Sequence, residues 1–150
     1  MIRCMGCMEE FESGDVCPYC GYQIGTPVKE AYYLTPGTIL HGQYQVGRVL
    51  GYGGFGITYL GWDLQLGRKI AVKEYLPSDC ATRVMGATKV EVYQGELADQ
   101  YQDGLKRFIE EAKKLAKFSE VSEIVDIYDC FMENKTGYIV MEFLDGTTVK

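Results

Sequence analysis

The chain has 150 residues, a formal net charge of −6 and 47% hydrophobic residues. This length accommodates one ordinary domain, with or without a small second one, and the hydrophobic content suits a packed core and argues against disorder. The acidic balance argues against a general binder of nucleic acid or anionic membranes, because attraction to phosphate needs a basic surface. No apolar run reaches the roughly 20 residues that span a bilayer, and no apolar signal stretch opens the chain. We therefore predict a cytoplasmic protein without a membrane segment.

Four of the six cysteines lie within the first 20 residues and form two Cys-x-x-Cys pairs. The pairs are Cys4 with Cys7 and Cys17 with Cys20, and together they supply the four thiolates of the tetrahedral site that zinc prefers. Two disulfides or four free thiols are the alternatives. Disulfides suit secreted proteins, and free thiols leave the paired spacing unexplained. The pattern predicts a structural Zn²⁺ ion in a segment that resembles a short bacterial zinc ribbon.

The residues between the two cysteine pairs predict a hairpin, with short strands at 8–11 and 15–16 and a turn at 13–14. The ribbon has one basic residue, Arg3, against four acidic ones. We therefore expect it to cap the fold or dock on protein rather than bind nucleic acid, and to unfold without metal.

Proline and glycine recur in residues 26–40, and we interpret this segment as a linker.

From residue 44 onward the pattern predicts β-strands at 44–50, 57–63 and 68–75. The first two are joined by a glycine-rich segment, Gly51-Tyr52-Gly53-Gly54-Phe55-Gly56. A Rossmann-type dinucleotide site needs a helix after the glycine-rich segment, and here a strand follows, so this kind of site is excluded. The other phosphate-binding arrangement is a glycine-rich loop between two strands, whose backbone can lie close over the phosphates. Lys73 on the next strand is then the cation that pairs with the phosphates, and Phe55 caps them against water. A plain glycine-rich hairpin with a surface lysine is the structural alternative.

Apolar residues recur at helical spacing after a long connection over 76–97, in which 89–93 alternates like a strand. They predict a helix over about 98–118. Its buried stripe comprises Tyr101, Leu105, Phe108, Ile109, Ala112, Leu115 and Ala116. At about 100° per residue, Glu111 lies at the edge of this stripe and Glu110 points to solvent. Ordinary pairing of these acids with lysines one turn later, such as Glu110 with Lys114, is the alternative.

In combination these residues resemble the amino-terminal lobe of a eukaryotic-like serine/threonine protein kinase of the bacterial kind. Gly51, Gly53 and Gly56 match the glycine loop, and Thr58 stands where the family usually has valine. Ile70-Ala71-Val72-Lys73 matches Val-Ala-Ile-Lys, and Phe108-Ile109-Glu110-Glu111-Ala112 resembles Phe-x-x-Glu-Ala.

The resemblance covers about residues 36–150. It implies an α+β fold in which a five-stranded antiparallel sheet packs with one helix, known as αC in protein kinases. We divide the chain into a zinc ribbon at 1–25, a linker at 26–40 and a kinase amino-terminal lobe at 41–150, with the carboxy-terminal lobe absent.

The resemblance also implies an ATP site. Lys73 and Glu111 are the predicted catalytic residues, since Lys73 would position the phosphates and Glu111 would orient Lys73. Strands at 124–132 and 138–143 lead to the segment that hydrogen-bonds adenine, with Met141 as gatekeeper. Val49 or Leu50 would help to line the adenine pocket, although apolar strand residues are also ordinary core residues. The predicted cofactor-binding residues are Leu50, Gly51, Gly53, Gly54, Phe55, Gly56, Thr58, Ala71, Lys73, Met141, Glu142 and Leu144.

In kinases, the catalytic-loop aspartate and asparagine and the Mg²⁺-binding aspartate follow the adenine-binding segment, and none is present in these 150 residues. His41 precedes the glycine loop, and we interpret it as a surface residue. We therefore expect the front part of a longer kinase that transfers the γ-phosphate of ATP to protein hydroxyls, with this chain inactive alone. Mg²⁺ would be needed in the complete kinase.

The expected partners are ATP and a protein substrate, with self-association through the apolar surface that would face the second lobe. No nucleic acid is expected. A pseudokinase or adaptor that recruits a partner through the ribbon is the alternative reading, and a zinc-ribbon protein that binds nucleic acid is a weaker third.

Overall fold

The computed structural model describes residues 1–53, 56–116 and 126–143. The cysteine-rich start of the chain holds strands β1 (Ile2–Arg3) and β2 (Glu10–Phe11), which pair antiparallel, and an isolated bridge between Val16 and Gln23. The predicted hairpin between 8–11 and 15–16 is therefore wrong.

Each cysteine pair instead closes its own small turn. The Cys4 N–H donates to the Glu9 carbonyl at 2.9 Å, and the Cys17 N–H donates to the Tyr22 carbonyl at 2.9 Å. The two turns are separate because each must bring its own pair of thiols to a common centre. A small core of Cys4, Phe11 and Cys17 holds the ribbon together.

The rest of the chain is built on a six-stranded antiparallel sheet. Its strands, in chain order, are β3 (Ile39–Leu40), β4 (Tyr44–Gly53), β5 (Gly56–Asp63), β6 (Arg68–Tyr75), β9 (Ile127–Glu133) and β10 (Thr136–Glu142). They lie in the order β3-β4-β5-β6-β10-β9. The five predicted strands are present, and the sixth, β3, lies inside the segment interpreted as a linker.

The turn between β9 and β10 shows how the local sequence sets the register. Asn134 and Lys135 both have positive φ, 56° and 65°, which is the geometry of a two-residue type I′ turn. Such a turn places Glu133 opposite Thr136, and a regular ladder continues from there to Val140, after which the register shifts by one residue.

Side chains join the two ends of the sheet. The Tyr44 hydroxyl on β4 donates to Asp129 Oδ2 on β9 at 2.8 Å, and the His41 ring stacks on Phe131 at 4.4 Å between centroids. The backbone N–H of His41 also donates to Glu133 Oε1 at 2.9 Å. His41 is exposed, as predicted, but its ring and backbone help the sheet to curl on itself.

The connection after β6 forms a second small hairpin of β7 (Ala81–Thr82) and β8 (Glu91–Val92), and helix α1 (Glu96–Ala116) follows. The helix begins two residues before its predicted start. Its first turn contains Glu96 and Asp99, and negative charges there stabilise a helix by interacting with the positive end of its dipole. The predicted end at 117–118 lies outside the described residues. Among the described residues, no helix combines the length and apolar character that crossing a membrane requires.

Most of the predicted helix stripe is buried or half-buried, and Tyr101, Leu105 and Ala112 are almost fully covered. Leu115 is 40% exposed, so its assignment to the core is wrong. The reason is that Leu115 lines the open cleft between α1 and β6, where its side chain stays accessible to solvent.

Candidate functional site

The four cysteines of the ribbon form one cluster. Their Sγ atoms all lie within 4.8 Å of one another, with Cys4 to Cys20 at 3.6 Å and Cys7 to Cys17 at 3.8 Å. A tetrahedral Zn²⁺ ion with Zn–S bonds of about 2.3 Å requires sulfur pairs about 3.8 Å apart. The cluster therefore fits that ion, and all the cysteines are free thiols rather than disulfides.

Backbone donors point at two of the sulfurs. The Gly6 N–H donates to Cys4 Sγ at 3.2 Å, and the Tyr19 N–H donates to Cys17 Sγ at 3.3 Å. Burial alone would raise the pKa of the Cys17 thiol, but hydrogen bonds from backbone N–H groups lower it to about 7. Burial raises the pKa of the Cys7 thiol to about 12. Metal binding would therefore have to displace protons from this cluster.

The ribbon is docked on the glycine-rich strand β4. The Met5 carbonyl, inside the first cysteine turn, accepts from the Arg48 N–H at 2.9 Å, and the Gly6 carbonyl accepts from Arg48 Nε at 2.6 Å. A Cβ atom at Gly47 would overlap the Met5 carbonyl oxygen and lie 2.7 Å from Met8 Cε. Glycine is thus the only residue that lets the ribbon approach this strand so closely.

Two further contacts fix the ribbon to the neighbouring strands. The Arg3 guanidinium lies 3.6 Å from the centroid of the Trp62 ring on β5, and Lys69 on β6 pairs with Glu9 at 3.3 Å. These contacts involve both ends of the first cysteine turn, so the ribbon has a defined position on the sheet.

The predicted catalytic residues border one cleft. It has a volume of about 840 Å³ and lies between β6 and α1. Lys73 enters it from the strand, and Glu111 enters it from the helix. Lys73 is half-buried and Glu111 is exposed, as is Glu110. Within the described part of the chain, no ion pair joins Lys73 to Glu111, so their pairing stays a prediction.

The strand register places several predicted nucleotide-binding residues on the same face as Lys73. Thr58 is the cross-strand partner of Lys73, Gly51 is the partner of Thr58, and Met141 is the partner of Ala71. Cross-strand partners share a face, and so do residues two apart along one strand, such as Ala71 and Lys73. The sheet therefore gathers these residues on the side that borders the cleft.

Other predicted site residues lie elsewhere. Val49, Leu50 and also Gly51 line a separate cavity of about 420 Å³ between β4 and the segment that follows the ribbon. The Glu142 N–H donates to the Asp126 carbonyl at 2.9 Å. Gly54, Phe55 and Leu144 lie outside the described residues, so their predicted contacts with ATP stay predictions.

A buried polar network behind Lys73 is a feature that the sequence analysis missed. Glu74, the next residue, points to the opposite face of the sheet and is fully buried. Its carboxylate accepts two hydrogen bonds from Arg83, at 2.5 and 3.0 Å, one from Tyr59 at 2.8 Å and one from Tyr138 at 2.6 Å. Burial opposes the charge on Arg83, but the hydrogen bonds and charge of Glu74 raise its pKa.

The network ties distant segments to the strand that carries Lys73. Arg83 also donates to the carbonyls of Tyr32, at 2.8 Å, and Thr88, at 3.0 Å. The Tyr59 hydroxyl accepts from the Leu34 N–H at 3.0 Å. The sequence does contain a sign that Glu74 is buried. Glu74 lies two and four residues after Val72 and Ile70, so the three side chains point to the same buried face of the strand. A charge on that face needs a partner inside the fold.

Comparisons with known proteins agree with this architecture. No family model matches the chain. It is 31% identical over 114 residues, 76% of its length, to the serine/threonine-protein kinase PrkC of Bacillus subtilis. It is 28% identical over 141 residues, 89% of its length, to the serine/threonine-protein kinase PknG of Mycobacterium leprae. The chain spans about 14–15% of the length of these two relatives.

A solved structure described as "PpkA-294 apo form" has the same fold. It is 34% identical, with a TM-score of 0.71, over 78% of this chain and 41% of its own. The predicted kinase amino-terminal lobe is thereby confirmed as the fold. The chain is a relative of the bacterial serine/threonine protein kinases and corresponds to their amino-terminal lobe, with a cysteine cluster of zinc-ribbon type in front of it.

Proposed function

We propose that this chain binds ATP as the nucleotide-covering lobe of a protein kinase that phosphorylates serine or threonine hydroxyls. The observation that supports this most directly is the placement of Lys73 and Glu111 on facing walls of one cleft. Lys73 contacts the α- and β-phosphates and Glu111 holds the lysine in place. The glycine-rich segment 51–56 covers the phosphates, and Ala71, Thr58 and Met141 surround the adenine.

The remaining parts of the reaction belong to the complete kinase. Proton acceptance from the substrate hydroxyl and Mg²⁺ binding need two aspartates and an asparagine from a second lobe. The chain alone therefore binds nucleotide without transferring phosphate, and its apolar surface toward that lobe favours self-association. The four cysteines hold a structural Zn²⁺ ion that keeps the ribbon folded on β4.

The test is a titration of the 150-residue chain with a fluorescent ATP analogue. Lys73→Met should raise the dissociation constant by about tenfold or more, because the cation that pairs with the phosphates is lost. Lys113→Met, the same change at an exposed position of α1, should leave it unaltered. Equal affinities in the two variants would contradict the role of Lys73. Absence of binding in the unmodified chain would favour the adaptor function.

A further inference from the structure

Tyr75 of β6 rests directly on the backbone of α1 at Gly104. Its side chain is 4% exposed, and its hydroxyl donates to the Tyr101 carbonyl at 3.0 Å. The ring packs against those of Tyr101 and Phe108, at 5.1 and 5.4 Å between centroids. A Cβ atom at Gly104 would overlap the Tyr75 hydroxyl oxygen and lie 3.1 Å from Cζ. This glycine, unfavourable in a helix by itself, lets the strand and the helix meet closely.

The same strand and helix carry the predicted catalytic pair. Lys73 and Tyr75 are two residues apart on one face of β6, about 6.7 Å along the strand. Gly104 and Glu111 are seven residues apart, which is two helical turns and about 10.5 Å along one face of α1. All four residues border the same cleft. The contact at Gly104 and the gap between Lys73 and Glu111 are therefore two points of one strand–helix interface.

We propose that Tyr75 and Gly104 are positioning residues that set the separation of α1 from β6 and so bring Glu111 within reach of Lys73. This inference rests on the proposed roles of Lys73 and Glu111. Tyr75 acts as a spacer of fixed thickness, because its ring is held by two aromatic neighbours and its hydroxyl by a helix carbonyl. A side chain at position 104 forces the helix outward, and Glu111 moves with it.

The experiment uses Gly104→Ala, Tyr75→Phe and the double variant in the 150-residue chain. A zero-length carbodiimide joins a lysine amine to a carboxylate as an amide only where the two groups meet. The yield of the Lys73–Glu111 cross-link, measured by mass spectrometry after digestion, therefore reports on this pair. The ion pair between Lys69 and Glu9, at 3.3 Å, serves as the internal reference in the same digest.

We expect Gly104→Ala to lower the Lys73–Glu111 yield about fivefold or more and to leave the reference unchanged. Tyr75→Phe removes the oxygen that the new Cβ overlaps. The cross-link yield of the double variant should therefore return to within about twofold of that of the unmodified chain. This recovery is the coupling between the two positions that a double-mutant cycle measures. Gln102→Ala, at an exposed position of α1, is the matched control and should change nothing.

An unchanged yield in folded Gly104→Ala, a loss that Tyr75→Phe does not restore, or no cross-link in the unmodified chain would overturn the proposal. If Gly104→Ala does not fold, the double variant decides by itself: a yield like that of the unmodified chain supports the proposal, and a loss overturns it.

Nucleotide titration separates this inference from the proposed function. Gly104→Ala should weaken binding of the ATP analogue in the chain with Lys73 but not in the Lys73→Met background, because it acts through the lysine. Equal weakening in both backgrounds would overturn the positioning role. If Lys73→Met has no effect on binding, the proposed function fails, while the cross-linking result still decides whether Tyr75 and Gly104 set the distance.

Discussion

Arg83 and Glu74 form a two-pronged ion pair in which neither side chain is exposed to solvent. The pair lies on the face of the sheet opposite Lys73, and the hydroxyls of Tyr59 and Tyr138 complete the hydrogen bonding of the carboxylate. A buried charge costs several kcal/mol unless it is paired and hydrogen-bonded. The network therefore constrains the strand that carries Lys73, and it makes the fold sensitive to any change in its members.

Replacing Arg83 by methionine should destabilise the chain strongly. The substitution leaves the Glu74 carboxylate buried without its cation, and breaking such a pair costs about 3–5 kcal/mol. Urea unfolding followed by circular dichroism measures the loss. Lys113→Met, at an exposed position of α1, is the matched control and should change the free energy of unfolding by less than about 0.5 kcal/mol. Similar stabilities of the two variants would mean that the ion pair does not hold the fold.

Alkaline pH should weaken the same network. Burial, followed by the negative charge of Glu74, raises the pKa of Tyr59 and of Tyr138 in the folded chain. In the unfolded chain a tyrosine ionises near pH 10. The folded state therefore keeps protons that the unfolded state releases, so stability is fully present below about pH 10 and falls as pH rises above it, by up to about 1.4 kcal/mol per pH unit for each tyrosine.

The measurement is the free energy of unfolding in urea between about pH 8 and 11. Tyr59→Phe should make the decline shallower. Tyr52→Phe, at a side chain that is 74% exposed, should not change it. A profile without a decline, or the same slope in Tyr59→Phe as in the unmodified chain, would show that these hydroxyls are not protected by folding.

A methyl group at position 47 should displace the ribbon from the sheet. Gly47→Ala places a Cβ atom against the Met5 carbonyl, and overpacking of this kind typically costs about 1–3 kcal/mol. Trp62, the single tryptophan, lies against Arg3 of the ribbon and should change its fluorescence when the ribbon moves. The control is Gly51→Ala, where a Cβ atom would meet nothing within 4 Å. Identical spectra of the two variants would contradict close docking at Gly47.

Removing zinc should unfold the ribbon and leave the sheet intact. We expect about one zinc ion per chain, lost on chelation or in Cys17→Ser, because four thiolates form a closed structural site. The amide of Arg48, bonded to the Met5 carbonyl, should then exchange its hydrogen faster, whereas that of Val72 in the central strand should not. Zinc far below one per chain, or equal protection of Arg48 with and without metal, would count against the site.

Sequence periodicity predicted the local elements of the fold well. Alternating apolar residues placed the long strands within a few residues of their observed ends, and helical spacing placed α1 within two residues of its start. Cysteine spacing identified all members of the cluster, and the position of Lys73 after three apolar residues identified the residue that lines the cleft. These features are readable because each depends on residues close together in the chain.

Long-range pairing was not readable in the same way. The partner of the strand at 10–11 is the segment at 2–3, and the ring of His41 meets Phe131, 90 residues later in the chain. The buried position of Glu74 was visible in the strand pattern, but its partner Arg83 was not, because Arg83 comes from a connection with little periodicity. Contacts between residues so far apart in the chain depend on which segments pack together in the folded protein.

For this protein the amino-acid sequence by itself determined the five long strands of the sheet, the helix, the cysteine cluster and the identity of Lys73 and Glu111 as candidates. Only the tertiary structure decided that the ribbon docks on β4 at Gly47, that Glu74 is neutralised by Arg83, and that α1 meets β6 at Gly104. Local elements follow from side-chain periodicity along a few turns or residues. Close approach and charge pairing depend on the shape of two surfaces at once, and that shape exists only when distant segments have packed.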